Sequence, residues 1–332
     1  MAGIKDVAAK AGVSISTVSY VVSGKRKITP QTVERVRQAA LELDYRPVLD
    51  AMQERGTRVL AVSSPVRPYT DLSNYASFFF ALAGSARKYG YDLLLLMHEA
   101  GDSEMLRVSQ RHMVDGIFLL DLLLGDTRTE TAAALDIPVV SIGVSNETAN
   151  VYSVDMDFES MGRDAMNKAH MLGHRHVLMV CPSRSAFLDG SNFLVRFHDA
   201  AQERGEELGV TLTQGFLTGK SLDDATLMLD EAFAADPQIS AVFCLDSTSN
   251  VMLALNGRGA RVPEDISVLA ICTSGANVLR AVDEMPLLPN VVCARAMEIM
   301  MRALEGSCAD MGHVELIAGE YRARGTMRPA RP

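Results

Sequence analysis

Apolar positions near the amino terminus recur at helical spacing. Ile4, Val7, Ala8 and Ala11 form one set, Gly12-Val13-Ser14 breaks it, and Ile15, Val18, Val21 and Val22 resume it. The pattern predicts two short helices joined by a tight turn. The second helix buries its valines on the first and turns Ser16, Thr17, Ser19 and Tyr20 outward as a small, uncharged hydrogen-bonding face. A third amphipathic segment follows, with Thr29 as N-cap, Pro30 at the first helical position, and Val33, Val36, Ala40, Leu41 and Leu43 inside. Three helices so arranged make a helix-turn-helix unit whose second helix enters a major groove.

From residue 58 the pattern changes to short apolar runs separated by amphipathic stretches. Strands are predicted at 59–62, 92–97, 116–120 and 138–142, with helices at 76–89 and 103–112. A second set has strands at 176–180, 210–217, 241–245 and 267–271, with helices at 161–172, 193–208, 223–235 and 250–258. Continuous apolar strands alternating with helices indicate parallel sheets covered on both faces. The expected fold class is an all-α head followed by an α/β core of two lobes. Its domains are a head at 1–46, a hinge segment at 47–57 and a core at 58–332. Lobe 1 is placed at about 58–152 plus a late return segment, and lobe 2 at about 153–280 plus carboxyl-terminal strands.

The net charge of −9 is misleading until it is divided. Residues 1–58 hold ten Lys/Arg against six Asp/Glu, a balance of +4, which leaves −13 on the rest. A basic head attracts phosphate, while an acidic body discourages the remainder from lying on nucleic acid. A hydrophobic content of 48% with 22% charged residues suits a soluble globular chain of two or three domains. No apolar run is long enough to span a membrane and no signal peptide opens the chain, so the expected location is the cytoplasm and no membrane partner is expected. Cys181, Cys244, Cys272, Cys293 and Cys308 are scattered and form no C-x-x-C pair, against a disulfide frame or a zinc site.

The motifs Ile4-Lys5-Asp6-Val7-Ala8, Ala11-Gly12-Val13-Ser14, Ser16-Thr17-Val18-Ser19, Gly24-Lys25 and Tyr45-Arg46-Pro47 together resemble the head of a lactose-repressor/galactose-repressor (LacI/GalR) family transcription regulator. The likeness continues through Gly90-Tyr91, Val114-Asp115-Gly116-Ile117, Ile137-Pro138-Val139-Val140, Leu172-Gly173-His174-Arg175, residues 261–268 and the closing 320–326. It therefore covers nearly all of the chain and implies a periplasmic-binding-protein-like core with a small-molecule cleft at the strands' carboxyl ends. It also implies a DNA-contacting set of Ser14, Ser16, Thr17, Ser19, Tyr20, Lys25 and Thr29. Where the family often has arginine, the usual reader of guanine, this chain has Tyr20, so readout there falls to one hydroxyl or an apolar contact.

In the family the hinge becomes helical on DNA and pushes an apolar side chain between central base pairs. Counted directly from Tyr45-Arg46-Pro47, that position is Glu54. A gap of two residues places Met52 there instead, with Leu49 one turn earlier, and methionine is an accepted wedge. The competing reading is a tether that never inserts. The effector site departs further. Tyr75 stands where the family places an aromatic, but the family's ligand-binding arginine aligns with Phe193, beside Asn192. Its Asn-Asp pair becomes Asp246-Ser247, and its sugar-binding aspartate becomes Cys272. The effector is therefore either less polar than a hexose, or held by a rearranged set including Tyr75, Asp121, Asn192 and Asp246, or absent.

Other chemistry fares worse. Gly215 to Ser221 has one residue too few for a nucleotide-binding P-loop. His170, His174 and His176 fit a helix cap better than a metal site, because Gly173 interrupts the helix between them. Asp155 and Asp157 read as N-caps rather than paired catalytic carboxylates. No nucleophile turn is present, so no enzyme activity, cofactor or metal is expected. The sequence points to a homodimeric DNA-binding regulator, favoured as a repressor, acting on a pseudo-palindromic double-stranded operator with a small-molecule effector, a sugar or derivative. The alternatives are a small-molecule-binding protein with a vestigial head and a regulator governed by a partner protein.

Overall fold

The structure, a computed structural model, describes residues 3–23, 26, 28–53, 56–70, 72–99, 101–273, 282–307 and 311–331. The head contains helices α1 (Ile4–Ala11), α2 (Ile15–Ser23), α3 (Pro30–Glu42) and α4 (Arg46–Gln53). Gly12, at φ 64°, ends α1 in the left-handed conformation that glycine adopts without steric cost. The Val13 N–H then returns to the Ala8 carbonyl at 3.0 Å, which closes the predicted turn. Val7, Ala8, Ala11, Val18, Val36, Ala39, Ala40 and Val48 form the head's own core. Two positions expected inside are not: Ile15 is 44% exposed and Leu41 47%. Both fall at helix ends, where the apolar stripe turns past the small three-helix core.

The remaining elements build two parallel sheets. The first set is β1 (Val59–Ser63), α5 (Leu72–Lys88), β2 (Asp92–Leu96), α6 (Gly101–Gln110), β3 (Gly116–Leu119), α7 (Thr127–Thr131), β4 (Val139–Ile142) and β5 (Tyr152–Met156). The second is α8 (Phe158–Met171), β6 (His176–Cys181), α9 (Arg184–Leu188), α10 (Asn192–Leu208), β7 (Thr211–Phe216), α11 (Leu222–Ala235), β8 (Ala241–Cys244), α12 (Thr248–Gly257), β9 (Ser267–Thr273) and β10 (Asp283–Pro286). Last come α13 (Pro289–Leu304) and β11 (Val314–Ile317). The six-stranded sheet has order β11-β5-β4-β3-β1-β2, and the five-stranded sheet β10-β9-β8-β6-β7.

The chain passes between the lobes three times: after β5, after β10 and after β11. The boundary expected at residue 153 must move, because β5 pairs with β4 in the first sheet and lobe 1 therefore runs through Met156. After β11 the chain returns to lobe 2, where Arg322 bridges Glu284 and the Thr326 hydroxyl donates to the Val268 carbonyl at 2.7 Å. Within lobe 2, α8 and α10 cross at Gly162, where any side chain would strike the Phe197 carbonyl.

Candidate DNA-binding head and ligand cleft

The second helix is capped by residues of the set expected to contact DNA. The Ser14 hydroxyl accepts from the Thr17 backbone N–H at 3.0 Å and lies 2.8 Å from the hydroxyls of Ser16 and Thr17. Ser16 and Ser19 are exposed, Thr17 and Tyr20 half-buried. A short row of hydroxyls is thus held on a rigid helix start. Thr29 occupies the N-cap position of α3, but its hydroxyl donates to Thr32 at 2.9 Å rather than capping a backbone amide. Lys25 and Glu54 lie outside the described residues. The backbone of Met52 lies in α4, but its side chain is outside the description. Leu49 packs, half-buried, against the head's core instead of standing clear as a wedge.

Among the described residues, the hinge meets lobe 1 at the Asp115 carboxylate. Asp115, just before β3, accepts from the backbone N–H groups of Thr57 at 2.5 Å and Arg58 at 3.0 Å, and from the Thr57 hydroxyl at 2.8 Å. Three donors on one acidic group fix where the chain enters the core, and this gives a physical role to an aspartate noticed in the sequence only as part of a motif.

Between the lobes lies a cleft enclosing a cavity of about 110 Å³. Tyr75, Asp121, Asn192, Phe193, Asp246 and Cys272 all line it. Three backbone irregularities bring them there. Asp121, Ser247 and Cys272 have φ values of 57°, 51° and 57°, in the left-handed region that side chains disfavour. Cys272 is the extra residue of a bulge, since Ile271 pairs with Met285 while Thr273 pairs with Pro286.

The polar groups in the cleft are engaged with one another. Arg67 donates to the Asp121 carboxylate at 2.6 Å, and the Tyr75 hydroxyl donates to its other oxygen. Burial raises the Asp121 carboxyl above its usual range, against the pull of Arg67. Across the cleft, Arg196 of α10 pairs with Asp155 of β5 at 2.6 Å, donates to the Asn192 carboxamide oxygen at 2.9 Å, and holds both Glu159 oxygens at 2.7 Å. Burial pushes the Asp155 carboxyl up to about 6, although the Arg196 charge opposes it. Asp155 is therefore a strand residue bridging the lobes and not a helix cap, whereas Asp157 does cap α8 through the Ser160 N–H at 2.9 Å. The rearranged polar set expected to meet an effector is present in place but internally bonded.

The lobes also touch directly. Leu123 and Ser191 form a bridge, the Leu124 N–H donates to the Gly190 carbonyl at 2.8 Å, and the Tyr69 hydroxyl donates to Asp189 at 3.0 Å. Tyr69, Phe78, Phe158 and Leu287 also line the cavity and were not singled out in the sequence. Nothing local distinguishes such apolar residues from core, because only the closing of two lobes makes them a lining. The histidine cluster resolves structurally. The His174 backbone N–H closes the end of α8 on the Ala169 carbonyl at 3.0 Å, while its ring bonds the Ser240 hydroxyl and the Arg328 carbonyl at 2.9 and 3.0 Å.

A helix-turn-helix head tied through a hinge to a two-lobed, cleft-bearing core defines a ligand-responsive class of DNA-binding regulator. Residues 3–48 match the family described as bacterial regulatory proteins, lacI family, and residues 166–327 match the periplasmic binding protein-like domain. The head is therefore a LacI-type DNA-binding domain, and the chain is a sequence-specific DNA-binding transcription regulator. It is 28% identical over 288 residues to the HTH-type transcriptional repressor PurR of Vibrio cholerae serotype O1, covering 81% of each chain. It is 24% identical over 276 residues to catabolite control protein A of Priestia megaterium, covering 80% of this chain and 81% of that one. Among solved structures, a transcriptional regulator CelR–cellobiose complex superposes with a TM-score of 0.66 at 21% identity, covering 98% of this chain and all of the other. A lac repressor dimer bound to operator and the anti-inducer ONPF gives 0.69 at 20% identity, covering 98% and 99%. At these identities the structural likenesses establish the fold. No described helix is long and apolar enough to cross a membrane.

Proposed function

We propose that the protein is a cytoplasmic repressor that grips a pseudo-palindromic operator as a homodimer and releases it when a small molecule alters the closure of the cleft. The observation that carries this reading is the row of short hydroxyls on α2, fixed by the Ser14 cap and placed on the basic end of an otherwise acidic chain. Short side chains bring a helix close to base edges, and the surrounding cations supply the phosphate attraction. A dimer places two such helices in successive major-groove turns. Apolar surface for it is available on both lobes: Phe80 of α5 is 78% exposed, and Leu227 of α11 and Leu253 of α12 are each 54% exposed. The relatives' printed names, a repressor among them, support the direction of regulation, and the cellobiose and ONPF complexes support a ligand in the cleft. A ligand can only shift the equilibrium by binding one closure state better than the other.

The deciding experiment is selection of a bound duplex from random DNA, followed by titration of that duplex and a scrambled control at rising salt. The expected result is one preferred two-fold sequence, bound at least a hundredfold better than the control, with affinity falling steeply with salt. In the same selection Tyr20→Ala relaxes the preference at one half-site position while leaving the others intact. Equal binding of all duplexes would leave a small-molecule-binding protein with an idle head.

A further inference from the structure

The ligand class follows from how the cleft has already used its polar groups. Five aromatic residues, Tyr69, Tyr75, Phe78, Phe158 and Phe193, line the cavity. The ionisable groups there are matched within the protein. Asp121 is held by Arg67 and Tyr75, Asp155 by Arg196, and Asp246 by the Ser247 hydroxyl at 3.0 Å and by Lys220 at 3.6 Å. No arginine is among the described lining residues, and the guanidinium groups just behind them, Arg67 and Arg196, are committed to these carboxylates, so an anionic ligand meets no uncommitted arginine there. A cationic ligand meets carboxylates already neutralised. A sugar would have to satisfy its belt of hydroxyls on Thr70, Asn74, Ser191 and Asn192, of which Thr70 and Asn192 are already bonded to the Arg67 backbone N–H and the Arg196 guanidinium, or break those arginines away from their carboxylates. Two further lining side chains carry no charge: Phe193, and the thiol of Cys272, which burial holds in the neutral form.

We infer that the cleft takes a neutral, weakly polar, ring-bearing molecule, aromatic or alicyclic, stacked against Phe193 and the tyrosines of lobe 1 with at most one or two hydrogen-bonding groups. This rests on the reading of the cleft as the effector site. Rings stack well on aromatic walls without demanding partners for a belt of hydroxyls.

The test uses the full-length protein and four probes: 2-naphthol, the anion 2-naphthoate built on the same ring system, glucose and cellobiose. Thermal unfolding and naphthol fluorescence report binding, and the selected operator duplex is titrated on the same preparation. The expected result is stabilisation by 2-naphthol of at least 2 °C, with no shift from the other three at equal concentration. Phe193→Arg abolishes the naphthol shift, and the milder Phe193→Leu weakens naphthol binding at least fivefold. Stabilisation by either sugar or by naphthoate, or no effect of 2-naphthol, overturns the ligand class. Naphthol binding that both Phe193 variants retain overturns its placement in the cleft. Loss of operator selectivity in the unliganded protein would overturn the regulator reading instead, so the two failures are distinct.

Discussion

Two buried carboxylates show how much a single residue's surroundings decide. Asp283 accepts from the backbone N–H groups of Arg324, Gly325 and Thr326 at 2.7, 2.5 and 2.9 Å, and from the Tyr321 hydroxyl. Although burial opposes it, this ring of donors holds the Asp283 carboxyl below its usual range. Asp155 lies the other way, pushed up to about 6 by burial despite Arg196. The pH consequences have opposite signs. Asp283 contributes stability above the unfolded carboxylate range, and that contribution is lost as pH falls through its depressed value. Asp155 favours the folded state while protonated, and that contribution is lost as pH rises through about 6. Denaturant titrations at several pH values should therefore show the wild type losing ground to Asp155→Asn between about pH 4 and 7, and losing ground to Asp283→Asn below about pH 4. Asp283→Ala, which orphans three amides, should cost about 3 kcal/mol at neutral pH. A flat difference between wild type and Asp155→Asn would remove the argument from burial.

At the scale of elements, the apolar strands were legible and the polar ones were not. Strands β1 to β4 and β6 to β9 stand where runs such as Leu93-Leu94-Leu95-Leu96 and Val242-Phe243-Cys244 put them. Strands β5, Tyr-Ser-Val-Asp-Met, and β10, Asp-Glu-Met-Pro, carry the polar residues that tie the two lobes and the carboxyl-terminal return together. Ser153 finds Ser141 at 2.8 Å, Asp155 finds Arg196, and Asp283 finds residues forty positions away. No local pattern announces partners so distant in sequence. The cleft was legible to the extent that positions adjoining strand ends could be named, while the mutual pairing of its charges needed both lobes in place. The hinge entry belongs to this scale as well. Replacing Asp115 by alanine removes the acceptor for two backbone amides and the Thr57 hydroxyl. Operator affinity should fall by about tenfold, since roughly 1–2 kcal/mol of hinge ordering is lost, while naphthol binding in the cleft persists. Gel-shift titration beside thermal unfolding separates this from general destabilisation.

For the whole molecule, charge and apolar surface divide the work. The head carries a net basic excess and the core a net acidic one, so long-range attraction orients the chain with its head toward phosphate. The exposed Phe80 ring on α5 is the side chain whose loss should be felt first by a partner copy. Sedimentation velocity at micromolar concentration should show a wild-type dimer and a largely monomeric Phe80→Glu, with operator affinity reduced more than tenfold. A dimer unaffected by that change would move the interface elsewhere.

The order in which the chain visits its lobes has a consequence for synthesis. Strand β11, at Val314–Ile317, supplies an edge of the first sheet, and residues beyond it close the second over Asp283 and Val268. A ribosome that has released the first three hundred residues has completed neither half of the core, whereas the head, with its own small core, is already assembled. Nascent or prematurely terminated chains would thus carry a finished DNA-reading end on a body whose two sheets are both left incomplete.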